Sequence, residues 1–220
     1  MKMKLSAEEE RKLKNNYYGV ADKANDALQK ALLKIFRQTQ GKLLYIDEMN
    51  VLSAEIREMY RTLIRHLRVY LNLVATGTYN KNNADKNPRT KLLGPDFIDE
   101  FLIAYNPVTQ FVLLNEMDRR GARFAEALMS TPTRSGRTEI INRELRGVAR
   151  VFRQAMIDIA DKAQLERMKD AGVERVMWYT MMDERVCADC RKLNGRVFRI
   201  DRVPAKPHPN CRCVLIPYVR

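Results

Sequence analysis

The chain lacks an apolar run approaching the ~20 residues that an α-helix needs to cross a bilayer. Its first six residues are basic but turn polar at once, so they lack the apolar core of a secretory signal peptide. These absences predict a protein that is made and kept in a cytoplasm, with no membrane partner. Thiols stay reduced in that compartment, which favours a metal site over disulfides.

The familiar sequence motifs of nucleotide-binding and hydrolytic enzymes are also missing. There is no glycine-rich phosphate loop, no H-E-x-x-H and no G-x-S-x-G. Only two histidines occur, and His66 lies on a predicted helix with no second ligand nearby, so we expect it to be a packing or surface residue. We therefore predict a protein that is not an enzyme, and no residue is assigned a catalytic role.

Acidic residues are scarce relative to basic ones. Forty lysines and arginines stand against 27 acidic residues, which gives a formal charge of +13 and a pI near 9.7. Such a balance predicts a polyanionic partner such as nucleic acid, or an acidic protein surface. The alternative is plain solubility, because 30% charged residues also suits exposed helices.

Most of the chain has helical periodicity, with apolar residues at three- and four-residue steps. The predicted helical stripes are Leu13, Tyr17, Val20, Ala24, Leu28, Ala31 and Ile35, then Ile56, Tyr60, Leu63, Leu67, Leu71 and Val74, then Ile141, Leu145, Val148, Phe152, Met156, Ile159 and Ala163. The predicted organisation is a helical hairpin or arm at 1–76, a linker or loop at 77–94, a helical region at 95–171 and a Cys/His-rich module at 172–220.

The period changes after Gly172. Residues 173–181 alternate as a strand does, and shorter strands are predicted at 196–200 and 213–217, with the turn signal Asn194-Gly195 between the first two. The predicted fold class is therefore α+β: mostly long α-helices, followed by a small β-containing module at the C-terminal end.

All four cysteines lie in this module, in two clusters. Cys187 and Cys190 form a C-x2-C motif, and after seventeen residues His208, Cys211 and Cys213 form H-x2-C-x-C. A closed zinc site takes four such ligands, and five are available here. So small a module needs a staple, since its core alone is inadequate. We predict a structural zinc site, with Cys211 and Cys213 as alternative fourth ligands; two disulfides or free packed thiols remain the alternatives.

Arginines and lysines crowd the same module. Those predicted to contact DNA phosphates are Arg196, Arg199, Arg202 and Arg212. Phosphate contacts of this kind would be independent of base sequence and sensitive to salt. A charged surface that only maintains solubility is the competing interpretation.

The order of motifs in the module resembles a known family. The segments are Ala171 to Val173, Trp178 to Thr180, Asp183 to Cys190 (D-E-R-V-C-A-D-C), Leu193 to Gly195 (L-N-G) and His208 to Cys213 (H-P-N-C-R-C). Together they resemble the phage Mu F-like head morphogenesis proteins, which are minor capsid proteins of tailed phages. The resemblance covers about the last quarter of the chain.

The resemblance implies a structural protein that acts inside the phage head, near the portal, in procapsid assembly and in DNA packaging or ejection. The implied partners are the portal protein, the major capsid or scaffolding protein and double-stranded DNA bound without sequence preference, with possible homo-oligomers. The implied location is the virion, after assembly in the host cytoplasm.

Two further interpretations stay open at this stage. One is a phage-encoded enzyme, a nuclease or transferase that uses the Cys/His module as a scaffold. It predicts an open pocket lined by convergent polar side chains with perturbed acidity. The other is a zinc-dependent nucleic-acid-binding protein of the host.

Overall fold

The structure is a computed structural model and describes residues 6–80, 93–180, 186–211 and 213–218. The elements in chain order are α1 (Ala7–Leu43), α2 (Met49–Asn80), α3 (Pro95–Ile103), β1 (Tyr105–Asn106), β2 (Phe111–Val112), α4 (Leu113–Met129), α5 (Arg134–Asp170), β3 (Arg175–Tyr179), α6 (Ala188–Leu193), β4 (Val197–Arg199), a 3-10 turn (Ile200–Arg202) and β5 (Val214–Pro217). The predicted α+β class is confirmed: long helices precede a small sheet. None of the helices in the described ranges is long and apolar enough to cross a membrane.

Three long helices, α1, α2 and α5, pack against one another and form the body of the protein, and α4 packs on α2. The start of α1 is the capping box expected from the sequence, in which Ser6 and Glu9 satisfy each other's free backbone amides. α1 and α5 run antiparallel, because Tyr18 meets Asp161 while Gln29 meets the carbonyl of Ala149.

The predicted apolar stripes form the core, with one adjustment. Every predicted stripe residue of α2 is buried, as are all of those on α5 except Leu145. On α1 the buried face is rotated toward Tyr18, Ala21, Leu32 and Phe36. The rotation follows from tertiary packing, since α1 must contact both α2 and α5 and so buries a broader face than one stripe.

Gly77, at which the predicted linker begins, and Gly136 both lie inside helices. α2 continues to Asn80, and α5 begins at Arg134. A Cβ at Gly77 would fall 2.8 Å from Cγ1 of Val20, so this glycine allows α1 and α2 to approach closely. Residues 81–92, which contain most of the predicted linker, lie outside the described residues.

A short β-hairpin replaces part of a predicted helix. The sequence was interpreted as helical from Asn106 onward, but β1 and β2 pair antiparallel before α4 begins. The side chain of Asn106 accepts hydrogen bonds from the amides of Val108 and Thr109, and Gln110 has a positive φ of 61°. An Asx turn of this kind competes with the helix.

The three C-terminal strands form one antiparallel sheet in the order β4-β3-β5. The predicted strands are confirmed, and each observed end lies within two residues of the predicted one. Trp178 of β3 faces Leu215 of β5 across the ladder, and both are buried. Gly172, with φ of +74°, follows the C-cap of α5 as predicted.

A buried guanidinium connects the start of α5 to the loop between α1 and α2. Arg137 is only 5% exposed. It donates to the carbonyls of Thr131, Leu44 and Ile46 at 2.9, 3.2 and 3.0 Å, and to Asp47 Oδ1 at 2.9 Å. These carbonyls lie in the loops before α2 and α5, outside the hydrogen bonding of helices and strands. The side chain of Arg137 therefore supplies hydrogen-bond donors to the carbonyls of both loops.

We expect Arg137→Ala to lower the free energy of unfolding by about 3 kcal/mol, because it leaves buried carbonyls without donors. Arg137→Lys should recover only part of this loss, since an ammonium cannot reproduce the planar fork. Arg143→Ala, which removes an exposed partner of Glu139, is the matched control and should change stability by less than about 0.5 kcal/mol. Urea unfolding measures all three; equal losses for Arg137→Ala and Arg143→Ala would contradict the assignment.

Candidate metal centre

The first half of the centre is the start of a short helix. Cys187 is the N-cap of α6, and its Sγ accepts a hydrogen bond from the amide of Cys190 at 3.3 Å. One helical turn therefore brings Cys190 beside Cys187, with Cys190 buried and Cys187 partly exposed. The sequence predicted a tight turn here; the structure has a helical turn with the same consequence, that both thiols face one point.

The second half is the loop that leads into β5. It contains His208 and Cys211, and Cys213 stands immediately before the strand. Asn210 adopts a positive φ of 56°, and its amide donates to Oε1 of Gln154 on α5 at 2.7 Å. The loop is thus held against the helical body while it turns back toward α6.

The two halves meet at Cys190. Its Sγ lies 3.3 Å from Nε2 of His208 and 3.6 Å from Sγ of Cys211. Two ligand groups result, Cys187–Cys190–His208 and Cys190–Cys211–Cys213, each with its ligand atoms within 4.8 Å of one another. Two thiolates bound to one tetrahedral zinc at about 2.3 Å would lie about 3.8 Å apart, so the observed separation fits such a site. All four cysteines are free thiols.

The imidazole is oriented for ligation through Nε2. Nδ1 of His208 lies 2.9 Å from the carbonyl oxygen of Pro209, which accepts a hydrogen bond when Nδ1 carries the proton. That tautomer leaves the lone pair of Nε2 directed toward Cys190. A backbone carbonyl that fixes the tautomer is the usual outer partner of a zinc-bound histidine.

The thiols have unequal acidities because they bond to one another. Hydrogen-bond donation from Cys211 lowers the pKa of Cys213 to about 5, and Thr180, 3.3 Å from Cys213 Sγ, adds to this. The same bond, with burial, raises the pKa of Cys211. Burial raises the pKa of Cys190 to about 12. A cation would be needed to ionise several of these thiols together.

An indole N–H also contributes to the environment of Cys213. Nε1 of Trp178 is buried and makes no hydrogen bond of ordinary geometry within the described residues. It is nevertheless close enough to help lower the pKa of Cys213. A buried donor beside a thiol suits a thiolate, and sequence reasoning treated Trp178 only as a strand residue.

Contacts to the helices make the centre continuous with the body. Nζ of Lys206 lies 2.6 Å from Oδ2 of Asp161 on α5, and both side chains are largely buried, at 10% and 16% exposure. Lys206 also donates to the hydroxyl of Tyr18 on α1, whose oxygen lies 3.0 Å from the carbonyl of Cys213. Lys206, which precedes the candidate ligands of this loop, and Cys213, the last of them, are therefore anchored to helices.

The residues predicted to contact DNA have different surroundings. Arg196 and Arg202 are exposed. Arg199 forms a two-point ion pair with Asp201, at 3.0 and 2.9 Å, so its charge is partly neutralised. Arg212 lies outside the described residues, as does the predicted turn at residues 183–185.

A cavity that the sequence did not indicate lies between the module and the body. Its volume is about 300 Å³, and its lining includes Phe101, Asn106, Asp158 and Trp178. Burial, followed by the neighbouring charge of Asp161, raises the pKa of Asp158 to about 6. Asp158 carries no motif, and only the folding of α3, the hairpin and the module around α5 encloses it.

Comparison with protein families gives one match in this part of the chain. Residues 120–216 match the family described as Phage Mu protein F like protein. The match covers most of α4, all of α5 and the whole Cys/His module. Comparison with curated proteins and with solved structures yields no match. The segment from residue 120 to the last strand, which includes the Cys/His cluster, is therefore similar to the Phage Mu F-like family.

Proposed function

We propose that this chain is a structural minor capsid protein that acts inside the phage head, near the portal, in procapsid assembly and in DNA packaging or ejection. The family match over residues 120–216 supports a role in head morphogenesis. The observation that carries the structural assignment is the clustering of thiols and imidazole at the seam between sheet and helices. A four-ligand metal site at that position would hold the sheet against the helices, and it would leave no open coordination position for a substrate.

The staple in this proposal is a structural zinc ion. Cys190 is the residue that the two ligand groups share, so it is the ligand expected in a site that draws on both groups. The small sheet has a core of its own around Trp178 and Leu215, but three of the residues in that core are the cysteines themselves. The ion would therefore replace apolar burial that the module lacks.

We expect the full chain, purified under reducing conditions, to contain about one zinc per chain by elemental analysis. Cys190→Ser should abolish stoichiometric zinc, because it removes the ligand shared by both groups. His66→Ala, which alters the exposed histidine on α2, should leave the zinc content unchanged. Zinc-free wild-type protein with an intact fold by circular dichroism would refute the staple.

In the proposal the module also contacts double-stranded DNA through its exposed arginines. Arg196 and Arg202 are the principal candidates, because Arg199 already faces Asp201. Contacts to phosphates would release counterions, so binding would weaken as salt rises.

We expect Arg196→Glu with Arg202→Glu to weaken DNA binding and to reduce the slope of log affinity against log salt by about 2, one contact each. The control replaces Arg61 and Arg65 by Glu; these two pair with Glu58 on α2 and change the net charge equally. Fluorescence anisotropy with a duplex at several salt concentrations measures both. Identical slopes for the two double variants would show that only net charge matters.

The portal, the major capsid protein and scaffolding protein are the proposed protein partners. Quantitative mass spectrometry of intact particles should find this chain in few copies, and imaging of labelled chains should place it at the portal vertex. A distribution over the whole shell, or absence from purified heads, would contradict the assignment while leaving the zinc site unaffected.

One observation favours the alternative of a phage-encoded nuclease or transferase. The cavity near Asp158 is open and includes a carboxyl group of raised pKa, as an enzyme would require. Its polar groups are already bonded to one another, however: Asp158 to Gln154 and Asn106, and Asp161 to Lys206. These bonds support a binding or structural role over catalysis.

A further inference from the structure

The cavity between the module and the helical body has mainly apolar walls. They include Phe101 from α3, Val151 and Leu165 from α5, and Trp178 and Leu215 from the sheet. Its volume of about 300 Å³ is at the lower end of the range of ligand pockets in proteins, about 300–1,000 Å³. A cavity of this size suits one large side chain better than a cofactor.

Among the described residues that line the cavity, two carboxylates share one buried ammonium, so one carboxylate is left without an ion pair. Asp161 is neutralised by Lys206 at 2.6 Å. Lys162 is directed away, with its Nζ 3.6 Å from Glu100 and 4.4 Å from the centre of the Phe97 ring.

Within the described residues Asp158 forms hydrogen bonds to amides and no ion pair. It accepts hydrogen bonds from Nδ2 of Asn106 and Nε2 of Gln154, each at 2.7 Å. Burial, followed by the charge of Asp161, raises its pKa to about 6, although these two amides and the ammonium of Lys206, which is bound to Asp161, act in the opposite direction. A cation placed beside this carboxylate would lower its pKa, and the ionised carboxylate would bind the cation.

The mouth of the cavity is also apolar. Ala104 and Tyr105 belong to its lining, and the neighbouring Ile103 and Tyr105 itself are 63% and 62% exposed. A free small molecule inside the cavity would leave these two side chains in water. A protein segment that inserts one side chain and covers the mouth would bury them.

We propose that this cavity binds a lysine or arginine side chain from an apolar segment of a partner protein. The alkyl stem lies along the walls formed by Phe101, Val151 and Leu165, and the cationic head pairs with Asp158. Ile103 and Tyr105 pack against apolar residues that flank the inserted side chain. Long basic side chains bury their stems and keep their charge paired in this way.

The first test uses pentylammonium as a stand-in for the side chain and pentanol as its neutral match. Trp178 is the only tryptophan of the chain and lines the cavity, so its fluorescence reports occupancy. We expect pentylammonium to bind about tenfold more tightly than pentanol at pH 7.5, through its charge-assisted hydrogen bond. Equal affinities, or no change in Trp178 fluorescence with either compound, would overturn the proposal.

The second test removes the carboxylate. Asp158→Asn should bring the ratio of the two affinities to about one, since the shape of the cavity is unchanged. Glu139→Gln, which neutralises an exposed carboxylate on the same helix, should leave the ratio at about ten. Near-ultraviolet circular dichroism checks that both variants are folded. A third variant, Ala104→Phe, places a large side chain at an exposed position at the mouth of the cavity and should block the binding of both compounds. A preference for the amine that survives in Asp158→Asn would overturn the role of this residue.

The third test separates a protein partner from a free amine. The peptide acetyl-Leu-Lys-Leu-amide should bind more tightly than pentylammonium to the wild-type chain. Ile103→Ser should reduce that advantage without changing the affinity for pentylammonium, because Ile103 is exposed beside the cavity and does not line it. Equal binding of peptide and amine to the wild-type chain would overturn the partner assignment. None of these outcomes depends on DNA binding.

Discussion

The ion pair between Lys206 and Asp161 is the contact on which the arrangement of the molecule depends. It joins the loop before His208 to helix α5 at its interface with α1, and it is largely shielded from water. A buried pair of this kind contributes little net stability, but losing one partner leaves a charge without compensation. The ion pair therefore determines where the loop packs more than it adds to stability. It gives the loop one position against α5, and the hydrogen bonds of Tyr18 and Gln154 hold the loop in that position.

The metal centre and the cavity are two results of that docking. The loop that carries His208 and Cys211 can meet Cys190 only because it is held against the helices. The same docking leaves a gap beside Asp158, since the hairpin and α3 close on α5 from the other side. A cluster of thiols and imidazole that could hold a metal ion and an open cavity thus lie side by side where the module packs on the helices.

Much of the fold could be predicted from periodicity. The stripes of α2 and α5 were identified almost completely, because both helices bury one continuous face, and the strands followed from the change of period after Gly172. The errors have a common cause. Gly77 was interpreted as the end of a helix, although it allows α1 and α2 to approach each other closely. The turn at Asn106 was interpreted as helix, because the side-chain hydrogen bonds that compete with the helix there involve only neighbouring residues.

By itself the sequence determined which chemistry is available: four thiols and an imidazole in two clusters, a basic surface, and helices amphipathic enough to pack. Ligand type and spacing follow from covalent order, so no fold is needed to recognise them. Only the tertiary structure decided which thiol is shared between the ligand groups, that Arg199 faces Asp201, and that Asp158 is bonded to amides and forms no ion pair within the described residues. Those facts depend on distances between segments remote in sequence, and such distances arise only when the helices and the sheet are packed together.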